Sequence, residues 1–514
     1  MNDRVFGFGI DLGTSNSAIS RVDISSGRPD FAEARDLGGN RDIPSVVYFH
    51  PDGTMEFGHV AAQRANSPRD AERVLANVKL LLRSNEPVHL EGLDEPVEPK
   101  LIIRGLLAHL KACAERTLSM PCTRAVISVP AHEEFDVDYR AMVRAAAMEG
   151  EPLFESISTI PEPDAVLMSI GDLTTFVGRR VLVFDMGGGT LDVSIRDVEE
   201  RDGRPYLTQL AVVGSNAAGR RVTEALIDLV LDKWQKEQGF TFAKDELLQA
   251  ARINFISIDD AKRNLSSLVV QHGAESPRAH SCHVISPQAQ RAPYAVSVQA
   301  RELTELSREV CEDAVMTVQK ALARAGCTTD EIDDYFAVGG SAQLPLMRER
   351  LFDLFGRQPS PLMGEFGRIE STLAVVQGSA VDDLNRDENA QVPLTSPVLE
   401  RRIPYSISMV TDQRTTTSIL VPTDSLLPFG PKTRKFWLDE GARSVSIILV
   451  RGDGPPDSCE VIAPATVELL EPAGISEGSR QIVITLYVDE GGELTAHAFD
   501  HKNRELVVIR TKHD

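Results

Sequence analysis

The chain is poor in cysteine, tryptophan and positive charge. Its 514 residues include 6 cysteines and 2 tryptophans. Cys113, Cys122, Cys282, Cys311, Cys327 and Cys459 lie scattered, with no CxxC pair among them. Disulfide scaffolds and structural zinc sites draw on paired or clustered cysteines, so neither fits, and scattered thiols point to a reducing compartment. Lys and Arg number 54 against 76 Asp and Glu, a net charge of −22. A general nucleic-acid binder needs a basic footprint, and net acidity is repelled by anionic membranes. No apolar run approaches the roughly 20 residues that cross a bilayer. The opening "MNDRVFGFGIDLG" is broken by Asp11 and does not read as a signal peptide. The expectation is a cytoplasmic protein that binds neither nucleic acid nor membrane.

What the chain does contain is enough apolar sequence for large cores. Apolar residues make up 42% and charged residues 25%, and the length suggests two to four domains. Through residue 384, strand-like runs ("RVFGFGID", "SAISRVD", "PSVVYF", "RAVISVP", "VLVFDM", "YLTQLAVV") alternate with helical patterns. The helical patterns are "PKLIIRGLLAHLKACAERTL", "DVDYRAMVRAAAMEG" and the stretches 221–238, 243–264 and 301–325. Such alternation predicts an α/β domain over 1–384. Residues 385–397, "NRDENAQVPLTSP", have the composition of a linker. From 398 to 514 short β-type runs separated by turn residues predict a small all-β sandwich, and "RTKHD" follows the last of them with no further helix.

The segment "VLVFDMGGGTLDVSI" places three glycines between two apolar strands, and "GIDLGTSNSAIS" is a weaker twin. Asp11 and Asp185 occupy the same place in each, 174 positions apart. A repeat on that scale implies two similar lobes, each turning one hairpin toward a shared cleft. Gly13, Gly187, Gly188 and Gly189 let backbone N–H groups approach phosphate oxygens, and Thr14, Ser15 and Thr190 add hydroxyls. The aspartates repel phosphate, so they make sense only with a hard divalent cation, Mg²⁺ with its waters, in between. A third glycine signal, Gly339-Gly340-Ser341 between a strand and a helix, suits a ligand lying against a helix N-terminus. Together they describe a nucleotide held between two lobes. A lone glycine hairpin is equally well read as a tight turn.

These motifs, with "VISVPA", "PEPDAVLM", "DDAKRNLSS" and "FAVGGSAQLPLMRERL", occur in the order found in the ATPase domain of the seventy-kilodalton heat-shock chaperones. The resemblance spans residues 4 to about 384 and extends more faintly over the β region. It implies a two-lobed actin-like ATPase domain, ATP or ADP with Mg²⁺ and K⁺, and a β-domain that takes unfolded or extended protein segments. It also implies partners such as co-chaperones or a nucleotide-exchange factor. By the same resemblance Asp11 and Asp185 would hold the Mg²⁺ water shell, and Lys79 would reach the γ-phosphate. Glu162 would face the attacking water, with Thr190 beside it, and Asp192 would sit near monovalent ions. Asp259, Lys262, Arg263 and Ser266 would line the adenosine pocket with Gly339, Gly340, Ser341 and Gln343.

Several positions depart from that pattern. Gln343 replaces an arginine that stacks on adenine, and Thr372 replaces an aspartate. Arg220 and Arg221 stand where the family is acidic, which would place them near the cleft. One extra residue in "AHEEFDVDYRAMV" leaves the family's interdomain arginine unassigned. The linker lacks an acidic-flanked leucine run, and the helical lid is absent. Outside the motifs, His272, His280, Cys282 and His283 are read as a polar loop rather than a zinc site, Cys113 and Cys122 as half-buried thiols flanking a helix end, and 196–205 as a solvated turn. Two functions follow: a lidless ATP-hydrolysing chaperone, or a nucleotide-dependent scaffold for one dedicated partner. A filament protein or small-molecule kinase on the same fold is disfavoured by the β-domain.

Overall fold

The structure is a computed structural model. It describes residues 6–510 except 24–29, 68, 85, 91–94, 132–136, 288–290, 365–366, 388–396, 400–402, 404–405, 412–415, 424, 428, 439, 441, 453, 457–458, 469–480, 489–493, 501 and 503. Most of the sequence-predicted linker therefore lies outside the described residues. The chain divides into two compact units, Met1–Val398 and Leu399–Asp514.

The first unit holds two sheets built on one plan. In the first, Phe6–Asp11 lies between its antiparallel hairpin partner Asn16–Asp23 and the parallel strand Arg124–Val129, with Ser156–Pro161 beyond. In the second, Arg180–Met186 lies between its hairpin partner Leu191–Arg201 and the parallel strand Asp334–Val338, with Arg204–Ser215 beyond the hairpin. Asp11 pairs across to Ser128, and Asp185 to Val338, so each aspartate ends a central strand flanked on both sides. The twin hairpins of the sequence are thus the centres of two lobes.

Helices bury their apolar stripes on these sheets. Pro99–Leu118 starts with proline at its first position, where the missing N–H costs nothing. Its Ile102, Ile103, Leu106, Leu107 and Leu110 recur at helical spacing and are fully buried against Ile10 and Ile127. In the second lobe Gly219–Gln238 and Ala300–Ala325 pack Leu226, Val230, Trp234, Val310 and Val318 on Leu182, Phe184 and Val193. Lys244–His272 runs longer than the predicted 243–264 because Leu265 and Val269 stay buried.

The second unit is a β-sandwich of two antiparallel four-stranded sheets. One has the order Thr416–Val421, Ile407–Thr411, Ser444–Arg451, Glu460–Glu468. The other has the order Phe429–Trp437, Gln481–Val488, Leu494–Phe499, Glu505–Arg510. Alternation puts Ile482, Ile484 and Leu486 of one sheet against Ile447 and Leu449 of the other.

Three local expectations are corrected. His280, Cys282 and His283 lie on the strand Ala279–Val284, where Cys282 and Val284 are buried, His280 on the same face is half-buried, and Ser281 and His283 face out. Residues 196–205 are two strand ends around a turn, and Arg196 is buried. Cys113 and Cys122 are fully buried rather than half-buried.

Candidate functional site

The two hairpins meet. At Gly188 an added Cβ would lie 2.3 Å from the Ser15 hydroxyl, and at Gly189 it would lie 2.4 Å from that of Thr14. The triple glycine is therefore required by the close approach of one hairpin to the other. Each turn is braced from behind. Ser45 donates from its hydroxyl to the Gly13 carbonyl at 2.7 Å, and Gly187 and Gly188 carbonyls accept the N–H groups of Gly219 and Arg220 at 3.2 and 2.7 Å.

Above them opens a cleft of about 680 Å³, a size typical of small-molecule sites. Its wall includes Asp11, Gly13, Thr14, Ser15, Lys79, Glu162, Asp185, Gly187, Gly188 and Thr190. The same wall carries Asp259, Lys262, Arg263, Ser266, Gly339, Gly340, Ser341 and Gln343. Two sequence-predicted site residues do not line it. Gly189 is turned into the hairpin contact, and Asp192 is buried behind, its Oδ1 accepting the Ala131 N–H at 2.9 Å. Arg220 and Arg221 do not line it either: Arg220 pairs with Glu224, and Arg221 with Glu309 and Asp313. Asp42, Val270, Gln271 and Arg348 line the cleft and were not singled out from sequence. Arg348 sits five residues after Gln343, one helical turn past the glycine turn, a spacing that could have flagged it.

One end of the cleft is acidic around a single buried lysine. Lys79, 2% exposed, donates from Nζ to Glu162 Oε1 at 2.6 Å. Burial works against its charge, but Glu162 foremost, with Tyr139 and Asp11, outweighs burial and holds Lys79 above the usual lysine value. Burial and then the Glu162 charge push the Asp11 carboxyl up to about 6, against the pull of Lys79 and a 2.9 Å hydrogen bond from Ser128. Asp185 is raised well above its ordinary value by burial, Glu162, Asp192 and Asp11. Carboxylates crowded this way favour a divalent cation. Among the described residues no group of three or more His, Cys, Asp or Glu side chains could hold a metal directly. Mg²⁺ keeps several waters and takes one or two carboxylates with substrate phosphates. Asp11 and Asp185 would hold it.

The other end carries a satisfied polar knot. Lys262 donates to Asp259 at 2.5 Å, to the Thr223 hydroxyl at 2.7 Å and to the Gly219 carbonyl at 3.1 Å. Burial alone would raise Asp259, but Lys262 and the Thr223 hydrogen bond hold it below the ordinary range. Arg263, about half exposed at 54%, reaches Asp259 at 3.2 Å and keeps a free face toward the cleft.

The model of one family, described as Hsp70 protein, matches residues 82–514. The chain belongs to the Hsp70 family. Hsp70 proteins are nucleotide-binding ATPases with a general ATP-dependent chaperone function toward substrate proteins and co-chaperones. The Hsp70 match takes in the second hairpin, Glu162, the Asp259–Ser266 helix face, the glycine turn and the β-sandwich. Asp11, Thr14, Ser15 and Lys79 precede the matched span, and their place in the cleft comes from the lobe geometry.

Proposed function

We propose that this Hsp70-family chain binds ATP and ADP with Mg²⁺ between its two lobes, hydrolyses ATP slowly, and uses its β-domain to hold unfolded or extended protein segments under nucleotide control in the cytoplasm. The observation that carries the proposal is the convergence on one cleft of both glycine hairpins, Asp11, Asp185 and the Lys79–Glu162 pair. Phosphoryl transfer depends on positioning and charge stabilisation more than on covalent help. Backbone N–H groups and the Thr14, Ser15 and Thr190 hydroxyls face where phosphate oxygens would lie. Lys79 offsets γ-phosphate charge, Glu162 orients the attacking water, and bound Mg²⁺ would neutralise charge on the phosphates. Free thiols at all six cysteines support a reducing compartment.

Calorimetric titration with ADP, with and without Mg²⁺, tests the nucleotide reading. Binding that ignores Mg²⁺, or no binding, defeats it. Gln343 offers no cation to a stacked base, and one exposed cation–π contact is worth about 0.5–1 kcal/mol. Gln343→Arg is therefore expected to tighten ADP binding roughly two- to fivefold. A looser complex would show that the base lies elsewhere.

A second reading, a scaffold for one dedicated partner, is favoured by the linker. Between 385 and 397 only Val392 and Leu394 are sizeable apolar residues, and at roughly 25 cal/mol per Å² they bury too little to report nucleotide state strongly. Steady-state ATPase is expected to change less than about threefold on adding saturating unfolded protein, a coupling under 1 kcal/mol. A tenfold stimulation lost on truncation to residues 1–384 would contradict this. Suppression of aggregation for several unrelated denatured proteins supports the chaperone reading, and capture of one protein alone supports the scaffold.

A further inference from the structure

One buried charge pair in the first unit plays no part in the cleft wall. Arg196 Nη2 lies 2.5 Å from Asp164 Oδ1, and the two side chains are 3% and 2% exposed. Arg196 Nη2 also donates to Gln209 Oε1 at 3.1 Å. Neither Asp164 nor Arg196 lines the cleft. Stability is a weak reason for such a pair, because desolvating two charges cancels most of their attraction and apolar side chains of similar volume do as well or better. What a buried ion pair supplies is a fixed geometry between the two elements that carry it.

Those elements lead straight to the cleft. Asp164 is the third residue of the helix Glu162–Ile170, two residues after the Glu162 that bonds Lys79. This helix leaves the first lobe's strand Ser156–Pro161. Arg196 is on Leu191–Arg201, the strand that emerges from the second glycine hairpin. Leu191, Val193 and Ile195 enter the second lobe's core, so Asp192, Ser194 and Arg196 project from the opposite face. That face meets the first lobe, as the bond from Ala131 to Asp192 shows. The ladder is also irregular at this point: Ile195 pairs with Ala211 but Arg196 with Gln209, leaving Leu210 as an extra residue. Bulges re-aim a side chain locally, and this one brings Gln209 to Arg196.

We propose that Asp164 and Arg196 are positioning residues for Glu162, their ion pair fixing the helix that presents Glu162 to the strand that begins at the second glycine hairpin. The proposal rests on the nucleotide reading above. The pair acts only through Glu162, so it governs turnover and leaves nucleotide affinity nearly untouched.

The test uses the full chain and the double variant Asp164→Ala/Arg196→Met, which removes both charges together. Melting temperature, ADP affinity by calorimetry, and kcat and KM for ATP are measured on each protein. The expected result is a folded protein with ADP affinity within about threefold of the parent, KM little changed and kcat down about tenfold, in keeping with the cost of small misplacements. In a Glu162→Gln background the double change is expected to lower kcat by less than about twofold further, because coupled groups do not add. Arg196→Lys guards against a double variant that fails to fold. It keeps the charge but loses the planar guanidinium whose Nη2 reaches both Asp164 and Gln209, and kcat is expected to fall about threefold. Parent-like kcat in a folded double variant or in Arg196→Lys overturns the proposal, as does an undiminished further loss in the Glu162→Gln background. A parent protein that binds no ADP overturns the nucleotide reading itself, and that result is visible before any variant is made.

Discussion

Lys79→Ala is expected to lower ATP hydrolysis by a factor of order 10² to 10³ while leaving ADP affinity nearly intact, the scale lost when one preorganised electrostatic group is removed elsewhere. Lys79 is the only lysine or arginine in the acidic end of the cleft among the described wall residues, beside Asp11, Glu162 and Asp185. It is held there by Glu162 at 2.6 Å and is 2% exposed, so it is preorganised. ADP lacks the phosphoryl group that Lys79 compensates, which separates the two readouts. Removing the ammonium also leaves Glu162 beside two carboxylates already raised by burial and by the Glu162 charge. Breaking a buried pair costs about 3–5 kcal/mol, so the melting temperature of the nucleotide-free variant should drop. Lys79→Ala/Glu162→Gln, which removes both charges, should regain most of that stability and none of the turnover. Hydrolysis at the parent rate in a folded Lys79→Ala protein would remove Lys79 from the reaction.

Much of this cleft was legible in the sequence because glycine hairpins leave a local signature. A strand, an aspartate, glycines and a returning strand can be read within about fifteen letters, and the repeat at Asp11 and Asp185 showed the two lobes. The resemblance supplied Lys79 and Glu162, because nothing in "NVKLLL" distinguishes a buried lysine from one on a helix surface. Arg220 and Arg221 were placed near the cleft by chain position alone. The helix Gly219–Gln238 presents its backbone to the hairpin there, and its arginines turn to carboxylates on its flank and on the helix Ala300–Ala325. Arg196 was hidden in "IRDVEERDGR", where the run of charges reads as a solvated turn. Its burial depends on Asp164, distant in sequence, and on a one-residue bulge. The strand Phe429–Trp437 has a weak sequence signal because Gly430 and Pro431 break its pattern and Lys432, Arg434 and Lys435 dilute it. As an edge strand it tolerates both proline and charge. In each case the missing information is tertiary: which distant group comes to meet the residue.

The same is true of Gly378, which no motif explains and which carries a large expected effect on stability. Gly378 lies in the helix Ala374–Asn385, which crosses Glu162–Ile170. A Cβ at Gly378 would sit 1.6 Å from the Ala165 carbonyl oxygen and 2.5 Å from its carbon. The obstacle is backbone, so no rotamer change relieves it. The helices must separate by more than 1 Å to restore ordinary contact. Neither can retreat. Ala380 of the crossing helix already touches the first strand so closely that a Cβ at Gly7 or Gly9 would lie 2.2 or 2.3 Å from its backbone. On the other side Asp164 is tied to Arg196, and Glu162 to Lys79. Overpacking usually costs about 1–3 kcal/mol where side chains can give way, and a backbone obstacle held on both sides should exceed it. Gly378→Ala is therefore expected to lose at least about 3 kcal/mol of stability and to hydrolyse ATP more slowly, since the displaced helix carries Glu162. Gly340→Ala is the control for thermal melting without nucleotide: its φ is −63°, and nothing lies within 4 Å of an added Cβ. Equal melting temperatures for the two variants would mean that the helices can part at little cost, and that the tight crossing does not fix Glu162 in the cleft.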